Sequence, residues 1–385
     1  MKKKQENTKQ KKDSKIGSTI LQLLVGGLFG IVMGFVVSMI TDKGDKEEEI
    51  EILLFRFVLI IVSFLIGYFI QIIVHEAGHL LGGVLSGYQF VSFRIGSFTI
   101  IKEEEKFRLK KFTIQGTAGQ CIMMPPDVEP ERCPNRLYNV GGVLVNLLLS
   151  TIVLLTLFFI PMLEWLKVFM VAFSATGYFI VLTNGIPMKI SGIANDGYNL
   201  YMLNKNPVAR RSFYISMKTI GLLSQGKRIK ELPLEWFLVE EGADFTNHLT
   251  ASMKINEGNW YMDYQQFDKT KECFQFLLRP EIHLIEVYKN ELNCEVLFIE
   301  IITNGKKEII EELYTKKLKQ YIKATSCYVS RKRLMYAYYK LVEKDMEKTE
   351  KALQEFEKTT KTYPIKGEIL MEQDLIKYID KIQVE

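Results

Sequence analysis

The feature that most constrains this chain is a run of uncharged, mostly apolar residues that leads directly into a histidine motif. Residues 57–74 read FVLIIVSFLIGYFIQIIV, and His75-Glu76-Ala77-Gly78-His79 follow. A helix of this length and composition can cross the hydrocarbon core of a bilayer. The two imidazoles of an HExxH motif lie on one helix face, where both can ligate a single zinc ion. The glutamate between them can accept a proton from water that the metal activates. The pattern therefore predicts a hydrolytic metal site on a membrane helix.

Apolar residues are concentrated in the first half of the chain, although the overall hydrophobic content is 48%. Since a membrane span needs about 20 apolar residues, we predict spans at residues 16–40, 53–84, 140–160 and 166–186. The first run is too long for a signal peptide and lacks a small-x-small cleavage site, so we expect it to be retained. Its glycines at positions 26, 30 and 34 share one helix face. They are compatible with packing between spans, self-association or substrate gating.

The charges of the connecting segments predict one orientation. Residues 2–15 carry seven lysines and two acids, whereas residues 41–51 carry six acids and two lysines. The long loop at 85–139 has eight Lys or Arg residues. The positive-inside rule then places the amino terminus, the long loop and the carboxy-terminal half in the cytoplasm. The net charge of +5 follows from this bias and gives no support to nucleic-acid binding.

A catalytic zinc needs a third protein ligand besides His75 and His79, and an open position for water. The two other histidines lie in the polar half of the chain. Asn195-Asp196-Gly197 follows the fourth predicted span, on the same side of the membrane as His75. Asn-Asp-Gly is ordinarily turn chemistry, but the predicted topology places Asp196 where a ligand is missing. We therefore predict that His75, His79 and Asp196 hold Zn²⁺.

Two further motifs accompany HExxH, and together they carry a resemblance to a known family. They are Gly142-Val143-Leu144-Val145-Asn146 at the third span, and Asn184-Gly185-Ile186-Pro187 followed by Asp196-Gly197. Over residues 53–200 the chain resembles the site-2 protease family of intramembrane zinc metalloproteases. The link at Met188–Asn195 is longer than is usual in that family and carries Lys189 and Ser191. The chain has no PDZ-like insertion between its predicted spans.

The resemblance implies a mainly α, polytopic protein with four to five transmembrane or re-entrant helices. The membrane it implies is a plasma membrane, and we expect a bacterial cell membrane. It implies that Glu76 is the catalytic base and that Asn146 faces the active site, where Asn146 could bind the oxyanion or the substrate backbone. Asn184 is a weaker candidate for the same role. An amide such as Asn146 can also serve simply as a contact between helices.

The implied substrate is a single-span membrane protein or a membrane-associated peptide, cleaved near the cytoplasmic face. Regulated intramembrane proteolysis and the processing of signal or pheromone peptides are examples in the family. The alternative is a non-catalytic receptor or scaffold of the same fold that acts through its cytoplasmic helices. The retained Glu76 favours the enzyme. A transporter is a weaker third hypothesis, since four spans without further buried charge offer little of a pathway.

The long loop has strand character at residues 89–115, interrupted by Glu103-Glu104-Glu105, which predicts a β-hairpin at the membrane face. The hairpin could bind an unwound substrate by β-augmentation, or it could be an ordinary surface hairpin. Residues 116–126 are predicted to be an irregular loop. The five cysteines are odd in number and have no paired spacing, so we expect reduced thiols.

The remaining chain predicts helices. Leu200–Leu223 should be one amphipathic helix with Arg210, Arg211 and Lys218 against lipid headgroups. A break follows at 226–233. Tyr336–Pro364 resembles one tetratricopeptide-type helical hairpin, which would offer a surface to a cytoplasmic partner, although a plain helical bundle is equally compatible. The predicted domains are a basic amino terminus (1–15), a membrane metalloprotease domain (16–204), an amphipathic helix with linker (205–258) and a cytoplasmic helical domain (259–385).

Overall fold

The computed structural model describes residues 50–103, 106–114, 117–190, 193–240, 242–303 and 306–383, with the glycines at 26, 27, 30 and 34. These four glycines are helical. The predicted basic amino terminus and the rest of the predicted first span lie outside the described residues.

The described chain is mainly helical and contains a small sheet. The helices are α1 (Ile50–Leu85), α2 (Asn135–Phe159), α3 (Glu164–Gly185), α4 (Asp196–Lys205), α5 (Pro207–Ser224), α6 (His248–Asp263), α7 (Phe267–Leu277), α8 (Glu286–Thr303), α9 (Lys307–Leu313), α10 (Lys316–Ala324), α11 (Val329–Ala337), α12 (Met346–Thr362) and α13 (Lys366–Lys381). The strands are β1 (Gln89–Ile95), β2 (Phe98–Glu103), β3 (Lys106–Lys111), β4 (Gly119–Met124), β5 (Lys189–Ile190) and β6 (Ile193–Ala194).

The chain divides into two compact units. The described residues within 1–86 and 134–205 form one, which we call the membrane unit, and the described residues within 87–133 and 206–385 form the other, the peripheral unit. The domain boundaries inferred from the sequence stay predictions.

Three helices of the membrane unit, α1, α2 and α3, are long and apolar enough to cross a membrane. They coincide with three of the four predicted spans, to within a few residues at each end. Their outer surface is apolar: Leu65, Leu148 and Phe159 are each at least 60% exposed. Such a surface would be unfavourable in water but is solvated by lipid, so these helices are consistent with a membrane protein.

Glycines bring α1 and α2 into backbone contact. A β-carbon at Gly78 would collide with the carbonyl oxygen of Gly141, and one at Gly82 would collide with that of Leu137. Because lipid gives helices no hydrophobic reason to associate, close packing through small residues is a principal attraction between them. This contact sets the position of the histidine motif, because Gly78 belongs to the motif and holds this part of α1 against α2.

The small sheet belongs to the peripheral unit and is antiparallel, with strand order β3-β2-β1-β4. The predicted hairpin is present between β2 and β3, where Glu103 pairs with Lys106. The first predicted strand is in fact two, because Gly96 adopts φ 56° and turns the chain between β1 and β2. The prediction of an irregular loop at 116–126 is wrong. Residues 119–124 form β4, which pairs with β1 and buries Met123 and Met124.

The predicted helix at 200–223 is divided into α4 and α5. Pro207 is the first residue of α5, where its missing N–H costs nothing. The Asn206 side chain accepts a hydrogen bond from the backbone nitrogen of Ala209 at 3.0 Å and caps the helix. The placement of Lys218 at lipid headgroups is wrong: Lys218 is buried and its Nζ lies 2.5 Å from the Asp127 carboxylate.

Helices α6 to α13 enclose the core of the peripheral unit. The predicted helical hairpin is present: α11 continues as a π-helix over Tyr338–Glu343, and α12 returns against it after Lys344, which has φ 53°. Ala352 and Phe356 of α12 are buried, as the repeat spacing predicts. The five cysteines are free thiols, as expected.

Candidate metal centre

One face of α1 carries a row of polar side chains through an otherwise apolar helix. Gln71, His75 and His79 follow one another at intervals of four residues, which places them on one face, and Ser63 lies about two turns before Gln71. All four are buried, with at most 8% of each residue exposed. Polar side chains within a membrane span are costly unless they have partners, so this face is a functional site by default.

The three residues predicted to be ligands come together at the carboxy-terminal end of this row. Asp196 Oδ2 lies 3.0 Å from His75 Nε2 and 3.2 Å from His79 Nε2, and the two Nε2 atoms are 3.1 Å apart. The two imidazole rings are nearly perpendicular, at 86°. Although 121 residues separate His75 from Asp196, their ligating atoms share one small volume.

The hydrogen bonds on the far side of each ring decide which nitrogen faces this volume. His79 Nδ1 lies 2.7 Å from the backbone oxygen of Tyr138, which can only accept, so Nδ1 carries the proton. His75 Nδ1 lies 2.7 Å from Asn146 Oδ1 and donates in the same way. Both Nε2 atoms therefore present lone pairs to the Asp196 oxygen. Three electron-rich atoms this close repel one another unless a cation lies among them, so the donor set fits Zn²⁺.

Asp196 owes its position to its neighbour Asn195. The Asn195 amide donates to the carbonyl oxygens of Thr183 (2.7 Å) and Ile186 (2.6 Å), at the end of α3. Its Oδ1 accepts from the backbone nitrogen of Tyr198 (2.9 Å) and so caps α4. We call these three contacts the Asn195 clip. Turn chemistry therefore describes Asn195, which leaves the adjacent Asp196 side chain directed at the histidines.

The long link between the two family motifs forms a structure of its own. Strands β5 and β6 pair as a two-stranded ladder, in which Lys189 is opposite Ala194. This ladder returns the chain to the end of α3, where a β-carbon at Gly197 would collide with the carbonyl oxygen of Gly185. The motifs around residues 184–187 and 196–197 thus meet backbone to backbone. The extra length of the link does not carry Asp196 away from the site.

Burial and the neighbouring histidines act in opposite directions on the pKa of Asp196. Burial alone would raise the pKa of its carboxyl, but the adjacent imidazoles of His75 and His79 lower it below its ordinary value. The carboxylate is therefore ionised at neutral pH and available as a metal ligand.

Asn146 and Gln71 lie behind His75, and neither has any exposed surface. Asn146 Nδ2 donates to the Oε1 (2.6 Å) and the backbone oxygen (2.9 Å) of Gln71. The contacts of Asn146 thus support a role in orienting His75, and its role toward an oxyanion stays a prediction. Asn184 Nδ2 lies 3.2 Å from the Ile180 carbonyl oxygen of its own helix.

Sequence reasoning missed Gln71, although a signal was present. It is the only side-chain amide in the run at 57–74, and it precedes His75 by one helical turn. Glu76, the predicted base, is half-buried on α1 between the two histidines. At about 100° per residue, Glu76 is offset by about 100° from His75 and by about 60° from His79, so it lies at the edge of the face that carries the histidines.

Two histidines and an aspartate are gathered inside the membrane unit of this helical protein. This arrangement is typical of membrane-embedded metallohydrolases. Residues 63–378 match the model of Peptidase family M50, and the chain belongs to this family. That is the site-2 protease family of membrane metalloproteases, so the resemblance inferred from the motifs is confirmed. No curated protein and no solved structure matches the chain.

Proposed function

We propose that this protein is an intramembrane zinc metalloendopeptidase that hydrolyses peptide bonds of transmembrane or membrane-associated substrates. The observation that carries the proposal is that the potential ligand atoms of His75, His79 and Asp196 all lie within 4.8 Å of one another, in a chain of family M50. Two imidazoles and a carboxylate are a common ligand set of catalytic zinc and leave one position open.

Each residue has a separate task in the proposed reaction. His75, His79 and Asp196 would hold the ion, and Glu76 would accept a proton from the attacking water and return it to the leaving amine. Bound zinc supplies Lewis acidity, which acidifies water and polarises the scissile carbonyl. Asn146 keeps the His75 ring in the orientation and tautomer that a ligand requires.

The expected substrate is a single-span membrane protein or a membrane-associated peptide, cut near the cytoplasmic face. The lysine-rich residues 2–15 and the basic loop at 85–139 support this orientation through the positive-inside rule. A receptor or scaffold of the same fold would have no use for a proton acceptor beside the metal ligands. The retained Glu76 therefore favours the peptidase.

The test compares wild type with Glu76→Gln, purified in detergent, on a panel of single-span membrane proteins and signal peptides. Loss of general-base catalysis should lower turnover by at least about 100-fold, while zinc content stays at the wild-type level. The matched control is Glu51→Gln, which makes the same change on an exposed residue of α1 far from the motif. Equal turnover by wild type and Glu76→Gln would remove Glu76 from the mechanism.

A further inference from the structure

A chain of buried hydrogen bonds extends from the metal centre into the membrane unit. His75 contacts Asn146, and Asn146 contacts Gln71. Gln71 Nε2 then donates to Ser150 Oγ and to the backbone oxygen of Phe173, both at 3.0 Å. We call this series the amide relay. It joins α1, α2 and α3, and it ends at a main-chain carbonyl.

The direction of every bond in the amide relay is fixed by backbone carbonyls. The Phe173 carbonyl can only accept, so Gln71 must present its NH₂ group there and its Oε1 to Asn146. The backbone oxygen of Gln71 likewise requires the NH₂ group of Asn146. Asn146 Oδ1 must then face His75, whose Nδ1 has to donate. The consequence is a lone pair on His75 Nε2, on the side of the metal.

Neither amide has an alternative partner to turn to. Gln71, Asn146 and Ser150 have no exposed surface, so a flipped amide would leave buried polar atoms unpaired at a cost of about 1–3 kcal/mol each. The relay also needs space. A β-carbon at Gly177 would lie 2.5 Å from Gln71 Nε2 and would collide with Ser150 Oγ.

We infer that Gln71 is a positioning residue, which sets the tautomer and orientation of His75 through Asn146. This inference rests on the proposed function, because it assumes that His75 Nε2 binds zinc. Outer partners of metal-binding histidines typically contribute 10- to 100-fold to metal affinity. Gln71 acts one residue further out, so we expect the lower end of that range.

The test measures zinc affinity by chelator competition, on the full chain in detergent, without reference to turnover. Gln71→Met keeps the length of the side chain and removes the Oε1 acceptor at 2.6 Å, so that only the backbone oxygen at 2.9 Å still orients the Asn146 amide. This loss should weaken zinc binding by about tenfold. Ser63→Ala is the matched control, since Ser63 is a buried polar residue of the same helix and lies outside the relay. It should bind zinc as wild type does.

A double-mutant cycle separates positioning from general loosening of the helices. If Gln71 acts through Asn146, adding Gln71→Met to Asn146→Ala should weaken zinc binding no further, whereas independent effects would multiply. Ser150→Ala offers a milder probe of the same relay and should weaken binding by about threefold. Multiplying effects, or wild-type affinity in Gln71→Met and Ser150→Ala, would overturn the inference. Absence of zinc binding by wild type would instead overturn the proposed function.

A second, independent observation concerns a cavity of about 480 Å³ in the peripheral unit, bordered by α10, α11 and α12. We call it the basic groove. Its apolar and aromatic lining consists of Tyr314, Ile322, Met335, Tyr339 and Ala352, and its lysines are Lys319, Lys323, Lys332, Lys348 and Lys351. One carboxylate, Glu355, lines it.

Only part of this positive charge is neutralised within the described residues. Lys332 lies 2.7 Å from Glu355, and Lys348 lies 2.6 Å from Glu343. Lys319 and Lys323 are one turn apart on α10, a spacing at which like charges repel. That helix, KKLKQYIKA, contains no acid. The Lys319 ammonium lies 4.5 Å from the ring centre of Tyr314, a neutral partner.

We propose that the basic groove binds an acidic peptide segment of a partner protein. Its volume suits a few side chains, and charge complementarity selects carboxylates for the lysines and an aromatic or aliphatic residue for the tyrosine-lined floor. Nucleic acid is less well matched, since its backbone needs an extended basic surface rather than a short concave one.

The probe is a fluorescent octapeptide of aspartate and glutamate with a central phenylalanine. Its binding to the full chain in detergent is measured by fluorescence anisotropy. Lys323→Glu combined with Lys351→Glu should weaken binding by at least about tenfold. The control pair, Lys269→Glu with Lys307→Glu, reverses two exposed lysines outside the groove and should change affinity by less than about threefold. Equal effects of the two pairs, no binding of the peptide, or tighter binding of an oligothymidine would each overturn the proposal.

Discussion

Replacing Gly142 with alanine should perturb the metal centre more directly than any change to a neighbouring apolar side chain. Gly142 lies on α2 opposite the imidazoles. A β-carbon there would lie 2.7 Å from Cε1 and 2.8 Å from Nδ1 of His75, and 2.8 Å from Nε2 of His79. One methyl group would therefore press on both histidine ligands.

The size of the effect follows from these distances. Ordinary contacts of a β-carbon begin at 3.4 Å, so the rings must retreat by about 0.6–0.7 Å, well beyond the roughly 0.2 Å tolerance of zinc–ligand distances. Misplacement of this order typically lowers catalysis by about 100-fold, or about 2.7 kcal/mol. Overpacking should also lower the free energy of unfolding by about 1–3 kcal/mol.

The assay is zinc content per chain, together with kcat/KM on the substrate used for Glu76→Gln. Gly221→Ala is the matched control, because its β-carbon would lie 2.7 Å from the Met124 side chain, within the peripheral unit. We expect Gly221→Ala to lose some thermal stability and to keep its zinc. Wild-type zinc content and turnover in Gly142→Ala would refute the proposed geometry.

Three further predictions concern other parts of the molecule. Asp196→Ala should lower zinc content markedly, whereas His248→Ala in the peripheral unit should leave it unchanged, as metal analysis would show. Asn195→Asp places a carboxylate oxygen against the Ile186 carbonyl and should lower the melting temperature and weaken zinc binding, with a cost of about 1–3 kcal/mol. Burial raises the pKa of Glu368 to about 7, so its contribution to stability is complete below about pH 4 and is lost as the pH rises through 7. Glu368→Gln should therefore raise the melting temperature at pH 8 relative to wild type, and an unchanged or lower value would contradict this reasoning.

Residue type and spacing were sufficient to identify the candidate metal ligands. Four-residue spacing brings His75 and His79 together on any helix, and only the order of the apolar segments was needed to return Asp196 to the same end of the membrane unit. The pairing of the histidines therefore depends on a local rule, and the placement of Asp196 depends on membrane topology. The same rules located α1, α2 and α3 to within a few residues.

The remaining features depend on contacts between distant parts of the chain. Gln71 was missed because its partner Asn146 is 75 residues away, and no local pattern specifies that pairing. Strand β4 was missed because pairing with β1, rather than a strong strand propensity of its own, makes it a strand. Lys218 was assigned to the helix surface because periodicity cannot reveal that Asp127 lies opposite it.

The glycine contact between α1 and α2 has a consequence for the motions of the metal centre. These two helices touch through their backbones at Gly78 and Gly141, so the imidazoles lie on a helix that is packed closely against its neighbour. Asp196 is instead attached to α3 and α4 by the Asn195 clip. The imidazoles thus lie on α1 and the carboxylate lies at the start of α4, so an ion shared among them would act as a cross-link. Chelation should then accelerate amide hydrogen exchange around the start of α4 more than within the α1–α2 pair.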